Sequence, residues 1–472
     1  MAVPIPPSPV PAAPAPPVAP VIPSAPRVKK SFPGKIIFAV LGLLVVLAVG
    51  VATGLLSRVV PGLGSSTLTY WGLWESEAVI RPILDEFEKT HPGTKVNYQF
   101  QSHVEYSERL KSALSQGKGP DVFRIHNTWT PEFRQYLSPV PSSVYSVADY
   151  EKTFYPVTKT DFRIGGTYYA VPLEVDGIAM FVNNDLLSKA GLPVPENWDQ
   201  LRDAAVAMSV CASSNSTCAS GGKIIISGVA LGSTQNVDHW QDILAALLLQ
   251  NNVNLSNPSQ LSSTAAEDVF NYFTSFTSLH RLWDPNLPTS TSSFAAGKVG
   301  IYFGPSWRVF DIQNLNPNLK FSVHPLPQLP VDLARGEQPV AYASYWAEAV
   351  NNKSSNQSKA WELIQYLSSP DVLRQLYQRV QSPQRAFGEP YSRQDMSADL
   401  KDSPYVATFI SQAPLLKSWY LASYTHTGPD SLNTKLSDLF AQVISHEKNV
   451  SSLATEVNTL LSSYGLSSVQ SP

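Results

Sequence analysis

Residues 165–187 read GGTYYAVPLEVDGIAMFVNNDLL, a largely apolar run that carries two carboxylates, Glu174 and Asp176. Because alternate residues of a strand point to the same face, these two acids share one face of a segment that otherwise looks buried. Three roles fit such a pair: a catalytic dyad, contacts to a ligand, or solvent-facing residues at an edge. The surrounding sequence has to distinguish between them.

The sequence on either side of this run alternates between strand-like and helix-like segments. Residues 67–73 (TLTYWGL) and 95–100 (KVNYQF) are strand-like, whereas Glu77–Lys89 places its apolar side chains on one helical face. Further on, residues 196–208 are helix-like and residues 223–231 are strand-like, and no fixed period repeats. This alternation predicts an α/β fold of βαβ units, with a largely parallel sheet and helices on both of its faces.

Length, charge and motifs narrow the classes of protein. A chain of 472 residues exceeds one ordinary core, so two lobes are expected. The formal net charge of −3 gives no bulk attraction for nucleic acid. Sequence templates for common hydrolases, phosphate-binding loops and zinc sites are missing, and the eight His residues lack ligand spacing. We therefore expect neither a cofactor nor a metal.

The N-terminal part differs in composition from the rest. Residues 1–33 hold 12 of the 39 prolines, which predicts a disordered tail over residues 1–34. Ile36–Leu56 is uncharged over 21 residues. At about 1.5 Å per residue this stretch spans roughly 30 Å, one bilayer core. We therefore predict a transmembrane helix over residues 35–57, a linker over 58–66 and a folded domain over 67–472.

Charge asymmetry around this stretch predicts its orientation. Four basic residues precede the stretch: Arg27, Lys29, Lys30 and Lys35. Only Arg58 follows it closely. The positive-inside bias places the tail in the cytoplasm and the folded domain outside, in a single-pass protein of the cell membrane. A cleaved signal peptide is the alternative, but the long preceding tail and the missing small-residue cleavage site favour a retained anchor.

The two cysteines, Cys211 and Cys218, lie close together in a loop rich in Ser and Asn. On the extracellular side such a pair predicts a small-loop disulfide, which stabilises the loop by about 2 kcal/mol. Without a nearby His the pair does not predict a zinc site.

Segments distributed over most of the chain carry a resemblance to a known family. They are YWGLW (70–74), FEKTHPGTKV (87–96), GKGPDVF (117–123), the run at 165–187, LPVPENWDQL (192–201), FAAGKVGIYFGPSW (294–307) and NQSKAWELIQYLSSPDVL (356–373). In these segments and their order, residues 66–465 resemble the family 1 extracellular solute-binding proteins of ABC importers, the group that includes the maltose-binding protein. Two features depart from the family: Asn197 stands where Thr is usual, and no Cys near residue 60 could carry a lipid.

The resemblance implies a two-lobed periplasmic-binding-protein fold of type 2, whose lobes close on a ligand about a hinge. It implies a monomer without enzyme activity that binds a sugar or oligosaccharide and delivers it to ABC permease subunits. The implied crossovers between lobes are Leu173–Gly177, Phe303–Pro305 and Tyr345–Glu348, with Gly177 and Gly304 at the hinge. The implied lobes are about 67–174 with 305–346, and about 175–304 with 347–472.

The resemblance also implies which residues meet the ligand. They are Trp71, Trp74, His126, Asn127, Glu174, Asp176, Trp240, Trp307, Trp346, Trp419 and Tyr420. Indole faces cover the apolar side of a sugar ring, and carboxylates accept hydrogen bonds from its hydroxyls. Asp176 is the expected acceptor, whereas Glu174 stays open between ligand and hinge solvent. Core packing is the alternative for Trp71, Trp74 and Trp240.

Other interpretations stay open at this point. Arg124, Arg308 or Arg385 could contact a phosphate, although no Lys or Arg cluster marks such a site. The same fold would serve a membrane-tethered sensor or adhesive receptor that uses the Pro-rich tail for docking. A glycoside hydrolase that uses Glu174 and Asp176 is a further alternative.

Overall fold

The computed structural model describes residues 66–212, 218–220, 222–331, 338–380, 390–425 and 428–466. The predicted tail and transmembrane helix, and all of the predicted linker except Ser66, lie outside these residues, as does Arg385. Within the described ranges, no helix combines the length and the apolar character needed to cross a membrane.

Two five-stranded sheets organise the described chain. Its strands are β1 Ser66–Gly72, β2 Thr94–Phe100, β3 Val122–His126, β4 Arg163–Ile164, β5 Thr167–Tyr168, β6 Val171–Pro172, β7 Ala179–Asn183, β8 Val210–Ala212, β9 Lys223–Val229, β10 Val299–Gly304, β11 Phe321–His324, β12 Ala341–Tyr342, β13 Trp346–Val350 and β14 Leu416–Lys417. The first sheet has the order β2-β1-β3-β13-β6 and the second β11-β7-β10-β9-β8. We call the parts of the chain built around them the first and the second lobe.

Both sheets are mixed rather than largely parallel. In the first, β1 pairs in parallel with β2 and β3, whereas β13 is antiparallel to β3 and β6. In the second, β10 and β9 are parallel, but β7 is antiparallel to β10 and β11, and β8 to β9. The sequence-based prediction of a largely parallel sheet is therefore wrong. Strands that enter a sheet from the other lobe, such as β7 and β13, need not follow the direction that βαβ units impose.

Helices cover the sheets. The α-helices of the described chain are α1 Glu77–Thr90, α2 Tyr106–Ser115, α3 Thr130–Phe133, α4 Val147–Thr153, α5 Val157–Phe162, α6 Asn184–Ala190, α7 Trp198–Met208, α8 Trp240–Gln250, α9 Thr264–Ser278, α10 Ser290–Ala295, α11 Arg308–Leu315, α12 Gln357–Leu367, α13 Pro370–Val380, α14 Val406–Gln412, α15 Leu432–Ile444 and α16 Val450–Ser463. In α1 the buried residues Ile80, Ile83, Leu84 and Phe87 follow helical spacing, as the sequence predicts. By contrast, α8 is buried on nearly all sides, because its sequence is apolar throughout.

The chain enters the second lobe through residues 173–178 and returns to the first near residue 345. The strand β11 pairs with β7 in the second lobe, and β13 pairs with β3 in the first. The assignment of 305–346 to the first lobe and of 347–472 to the second is therefore wrong for these strands. Residues 305–307 lead into helix α11, which stays with the second lobe, and the chain crosses back only after β11. The sequence could not show this position, because β11 and β13 are both short and apolar.

The C-terminal part is divided between the lobes. Helix α13 packs against α1 in the first lobe. Later, Thr408 of α14 donates a hydrogen bond to the Val323 carbonyl of β11, and α15 and α16 pack against α9, all in the second lobe. A further crossing therefore lies between Leu400 and Val406.

The crossing segments are hydrogen-bonded to one another. Val175 N–H donates to the Pro390 carbonyl, and Ile178 N–H donates to the Tyr342 carbonyl. A Cβ at Gly177 would lie 2.2 Å from that same Tyr342 oxygen, so close strand packing requires glycine there. At Gly304 a Cβ would lie 2.7 Å from the hydroxyl of Tyr302. Both glycines have a steric reason, and their role as hinge residues stays a prediction.

At the edge of the second sheet, Cys211 and Cys218 form a disulfide with an S–S distance of 2.07 Å. It links β8 to the short 3₁₀ turn that precedes β9, which is antiparallel to β8. The bond thus closes a hairpin at the sheet edge, and residues 213–217 of its loop lie outside the described ranges.

Candidate functional site

A cleft of about 540 Å³ is lined by residues of both lobes and of the crossing segments. Six residues that the sequence nominated for ligand contact lie in its lining. They are Trp74, His126, Glu174, Asp176, Trp307 and Trp346. The structure thus brings side chains that are far apart in sequence to one concave surface, and their contact with a ligand remains a prediction.

Trp71 and Trp240 are not part of this lining. The indole N–H of Trp71 donates to Gln99 on the neighbouring strand, 2.9 Å away. Trp240 is 6% exposed and opens the buried helix α8. The structure therefore supports a packing role for both residues.

Three further nominated residues are not part of the cleft lining. Asn127 is buried, donates to Asp161 and accepts from the Tyr345 backbone N–H. Trp419 is 7% exposed and packs beside Tyr420. Tyr420 itself is half-buried. None of the three residues belongs to the cleft lining, and their contact with a ligand stays a prediction.

The first lobe presents an aromatic face. Trp74 stacks on His103 at a centroid distance of 5.4 Å and meets Trp346 edge-on at 5.8 Å. Trp346 in turn packs edge-on against the buried Trp129 at 5.1 Å. Trp74 is 37% exposed and has a φ of 70°, a conformation that only a supporting environment holds in a residue of this size. The indole therefore stands at the rim of the cleft.

The second lobe presents another aromatic face. Trp307 and Tyr424 meet edge-on at 5.9 Å, and the guanidinium of Arg308 lies 4.3 Å from the first ring and 4.7 Å from the second. Tyr424 donates a hydrogen bond to Asp238 over 2.5 Å. Aromatic rings therefore stand on both sides of the cleft, which suits a ligand with two apolar faces.

Asp176 is a buried carboxylate with several donors. It accepts hydrogen bonds from Ser306 N–H at 3.0 Å, Ser306 Oγ at 2.7 Å and its neighbour Gly177 N–H at 2.8 Å. These bonds join the first crossing segment to the end of β10. The predicted role as an acceptor for ligand hydroxyls remains a prediction, and the structure adds a role in joining the two segments.

Glu174 belongs to an ionic cluster around Arg124. The Arg124 guanidinium is 3.4 Å from Glu174, 3.0 Å from Glu75 and 2.6 Å from Glu348. Burial by itself would lower the pKa of Arg124, but the carboxylates, Glu174 foremost, raise it well above its ordinary value. Arg124 therefore stays charged and ties Glu174 to the first lobe.

A second, half-buried acid is bonded to the cleft-lining residue Tyr345. Asp161 accepts hydrogen bonds from Ser418, from the Tyr345 hydroxyl at 2.6 Å and from Asn127 at 3.1 Å. Burial raises the pKa of Asp161 to about 7, and these three donors limit the rise. The carboxyl therefore titrates near neutral pH.

Ser423, His239 and Asp242 lie together in the lining, a combination known from hydrolases. Here the Ser423 hydroxyl and the Asp242 carboxylate both lie on the Nδ1 side of His239, at 2.9 Å and 3.4 Å. The other ring nitrogen, Nε2, accepts a hydrogen bond from Arg308 at 3.0 Å. In a catalytic triad the serine hydroxyl is bonded to Nε2 of the histidine and the aspartate to Nδ1, so the geometry here does not fit a triad.

Sequence reasoning missed several lining residues: His103, His239, Asp242, Asp311, Ser344, Ser423 and Tyr424. A usable signal existed for His239 and Asp242, which lie at the start of an apolar helix where polar side chains have no reason to be buried. The loop residues Ser423 and Tyr424 gave no such signal. Within the described ranges, no group of three or more His, Cys, Asp or Glu side chains is arranged to hold a metal ion.

The profile of a protein family, described as bacterial extracellular solute-binding protein, matches residues 74–373. The match covers more than half of the chain. The chain belongs to this family. This is the family of ABC-importer binding proteins that the sequence resembles. The family prediction made from the sequence is therefore confirmed. As its members are substrate-binding proteins of transporters and not enzymes, the prediction that this solute-binding protein is no enzyme is also confirmed.

Individual relatives agree with this assignment. A putative binding protein of Brucella abortus is 25% identical over 302 residues, which are 60% of this chain and 67% of the relative. The maltotriose-binding protein of Pyrococcus abyssi is 22% identical over 330 residues, 66% and 65% of the two chains. A solved ABC transporter solute-binding protein of Thermotoga lettingae, bound with α-D-tagatose, superposes with a TM-score of 0.63 at 21% identity, covering 84% of this chain and 100% of its own. This likeness confirms the two-lobed α/β fold.

Proposed function

We propose that this solute-binding protein captures a neutral carbohydrate in the interlobe cleft and delivers it to an ABC permease. The observation that carries the proposal is the pair of aromatic faces, Trp74 with Trp346 on the first lobe and Trp307 with Tyr424 on the second. Rings on both sides can stack on the apolar faces of a sugar, and the polar groups between them can bond its hydroxyls.

The phosphate alternative loses support from the same surface. Arg308 is paired with Asp311 at 2.8 Å and lies 3.8 Å from Asp238, and Arg124 is paired with three glutamates. A phosphate would have to compete with these carboxylates for each guanidinium. A ligand without negative charge fits the cleft better.

We further propose that residues 35–57 anchor the protein in the cell membrane, with residues 1–34 in the cytoplasm and the binding domain outside. The support is the uncharged stretch Ile36–Leu56 and the basic residues that precede it. The disulfide between Cys211 and Cys218 agrees with an oxidising compartment.

Isothermal titration of the full chain against maltotriose and α-D-tagatose, the sugars that the relatives' names supply, tests the binding proposal. Trp307→Ala is expected to weaken binding about tenfold, because the variant loses one stacking face. Trp71→Ala is the matched control: this indole lies outside the cleft, so its loss should leave affinity unchanged. Equal losses in both variants, or no binding of any sugar in a broader panel, would contradict the proposal.

A further inference from the structure

Arg308 has an unusually restricted position in the cleft lining. Its guanidinium lies between the rings of Trp307 and Tyr424, at 4.3 Å and 4.7 Å. One edge is held by Asp311, whose carboxylate accepts from Nη1 at 2.8 Å. At another edge Nε donates to His239 Nε2 at 3.0 Å. The side chain is 11% exposed, so these contacts leave the guanidinium few other orientations.

His239, which accepts this bond, is 3% exposed and immediately precedes helix α8. Its φ is 64°, in the left-handed region that residues other than glycine rarely adopt. Such a conformation costs free energy and persists where surrounding contacts require it. The backbone of His239 is thus held in a conformation that directs its imidazole toward the cleft.

Arg308, His239, Ser423 and Asp242 are linked by hydrogen bonds in which each residue donates to the next. An arginine Nε always carries its proton, so His239 Nε2 must accept, and the proton of the neutral ring must be on Nδ1. Nδ1–H can then donate to Ser423 Oγ, 2.9 Å away. The Ser423 hydroxyl in turn donates to the carboxylate of Asp242, which is 0% exposed. A chain of donors therefore leads from Arg308 through His239 and Ser423 to Asp242.

We propose that His239 is a positioning residue for ligand binding: the chain Arg308–His239–Ser423–Asp242 holds the guanidinium toward the ligand, and protonation of His239 breaks it. An imidazolium presents an N–H to the Arg308 N–H, so an attractive contact becomes a repulsive one. The inference rests on the proposed function, because it describes how the binding cleft is kept in its binding geometry.

The groups around His239 shift its pKa in opposite directions. Burial lowers the pKa of His239, and the charge of Arg308 lowers it further, whereas the hydrogen bond and charge of Asp242 and the charge of Asp238 raise it. Tyr424 and Trp307 contribute ring contacts at 4.7 Å and 5.6 Å. The net result is a lowered pKa, which agrees with the acceptor role that the geometry requires.

The first test needs no sugar. The full chain is labelled with ¹⁵N-histidine, and the His239 ring nitrogens are assigned by comparison with His239→Gln. We expect a neutral ring with its proton on Nδ1, and a titration below the ordinary value of about 6.5. A proton on Nε2, or titration at the ordinary value, would overturn the inference.

The second test measures the affinity for maltotriose between about pH 5 and pH 8, where histidine is the side chain that titrates when unperturbed. Wild-type affinity is expected to be constant at the upper end and to fall below the lowered pKa. One proton limits that fall to about tenfold per pH unit. His239→Gln keeps an acceptor for Arg308 but has no titrating ring. Whatever its affinity at the upper end, that affinity should therefore lack the acid-side fall.

His239→Phe keeps a ring but removes the acceptor, and we expect about tenfold weaker binding at every pH from the loss of one charge-assisted hydrogen bond. His324→Gln is the matched control, because burial also lowers the pKa of His324, which lies on β11 outside the cleft lining. It should keep the wild-type pH profile. An unchanged pH profile in His239→Gln, or full affinity in His239→Phe, would contradict the inference.

Thermal unfolding of each variant separates folding from positioning. If His239→Phe does not fold, His239→Gln and the NMR titration still decide. If wild-type protein binds no maltotriose even at the upper end of the pH range, the proposed function fails for that sugar, while the NMR titration judges the hydrogen-bond chain independently.

Discussion

Single buried charges have consequences that the structure makes measurable. Glu348 is 0% exposed and Arg124 is 2% exposed, and their side chains are 2.6 Å apart. Asp161 is bonded to the cleft-lining residue Tyr345, and desolvation raises its pKa to about 7. Arg124 and Asp161 have pKa values that are raised in their surroundings, and Glu348 is buried beside Arg124, so changing these residues changes stability in a direction that can be predicted.

Arg124→Met is expected to destabilise the protein by about 3–5 kcal/mol, because it leaves the buried Glu348 without the cation beside it. Urea unfolding measures the loss. Adding Glu348→Gln to this variant should restore part of it. Arg202→Met is the control: Arg202 pairs on the surface with Asp199 and Asp203, and such pairs contribute about 1 kcal/mol or less. A loss at Arg124 no larger than at Arg202 would contradict this interpretation.

Asp161→Asn is expected to change how stability depends on pH. The folded-state pKa, about 7, lies above the unfolded value, so the folded protein holds a proton that the unfolded chain has released. The associated stability is present at acid pH and is lost as pH rises from about 4 to about 7, with a limiting slope of about 1.4 kcal/mol per pH unit.

The asparagine variant does not titrate, so this slope should be absent from its denaturant unfolding across the same pH range. Asp185→Asn is the matched control, since the Asp185 side chain is 70% exposed. Its pH profile should follow the wild type. A wild-type slope retained in Asp161→Asn would show that another group is responsible.

At the scale of elements, the crossing segments connect the two sheets. Backbone hydrogen bonds join residues 175–178 to Pro390 and Tyr342, and Ser344 N–H donates to the Asp176 carbonyl. The short strands β12 and β14 pair in parallel beside them. The crossing segments are therefore bonded to one another rather than being independent linkers.

Gly177→Ala is expected to cost about 1–3 kcal/mol by overpacking, because the added methyl group meets the Tyr342 carbonyl oxygen. It should also weaken sugar binding if the lobes close about these segments. Gly165→Ala is the comparison: its φ of +57° makes any side chain strained, but no atom lies within 4 Å of the new Cβ. Thermal unfolding and sugar titration of both variants give the answer, and equal stability losses with equal affinities would contradict a steric role for Gly177.

At the scale of the whole molecule, we expect the folded domain and the predicted anchor to have separate tasks. Deletion of residues 1–65 is expected to release the protein from membranes into the supernatant while leaving its affinity for maltotriose unchanged, because the cleft is built from later residues. Membrane fractionation and titration of the full and shortened chains measure both effects. Recovery of the full chain in the supernatant would contradict the anchor, and lost affinity in the shortened chain would contradict the separation of tasks.

The sequence by itself determined what depends on local pattern and on ordered motifs. The amphipathic spacing in Glu77–Thr90 predicted a helix, and the order of segments such as residues 165–187 and 294–307 predicted the family and its two lobes. Of the residues that the resemblance nominated for ligand contact, Trp74, Asp176 and Trp307 line the cleft, and their contact with a ligand stays a prediction.

Only the tertiary structure decided what depends on contacts between distant segments. It assigned β11 and β13 to opposite lobes, turned Trp240 and Trp419 into the core, and showed that Glu174 is held by Arg124. It also assembled Arg308, His239, Ser423 and Asp242 from three parts of the chain. Local pattern records whether a side chain prefers to be buried, whereas its partner there is determined by packing between elements that the sequence places far apart.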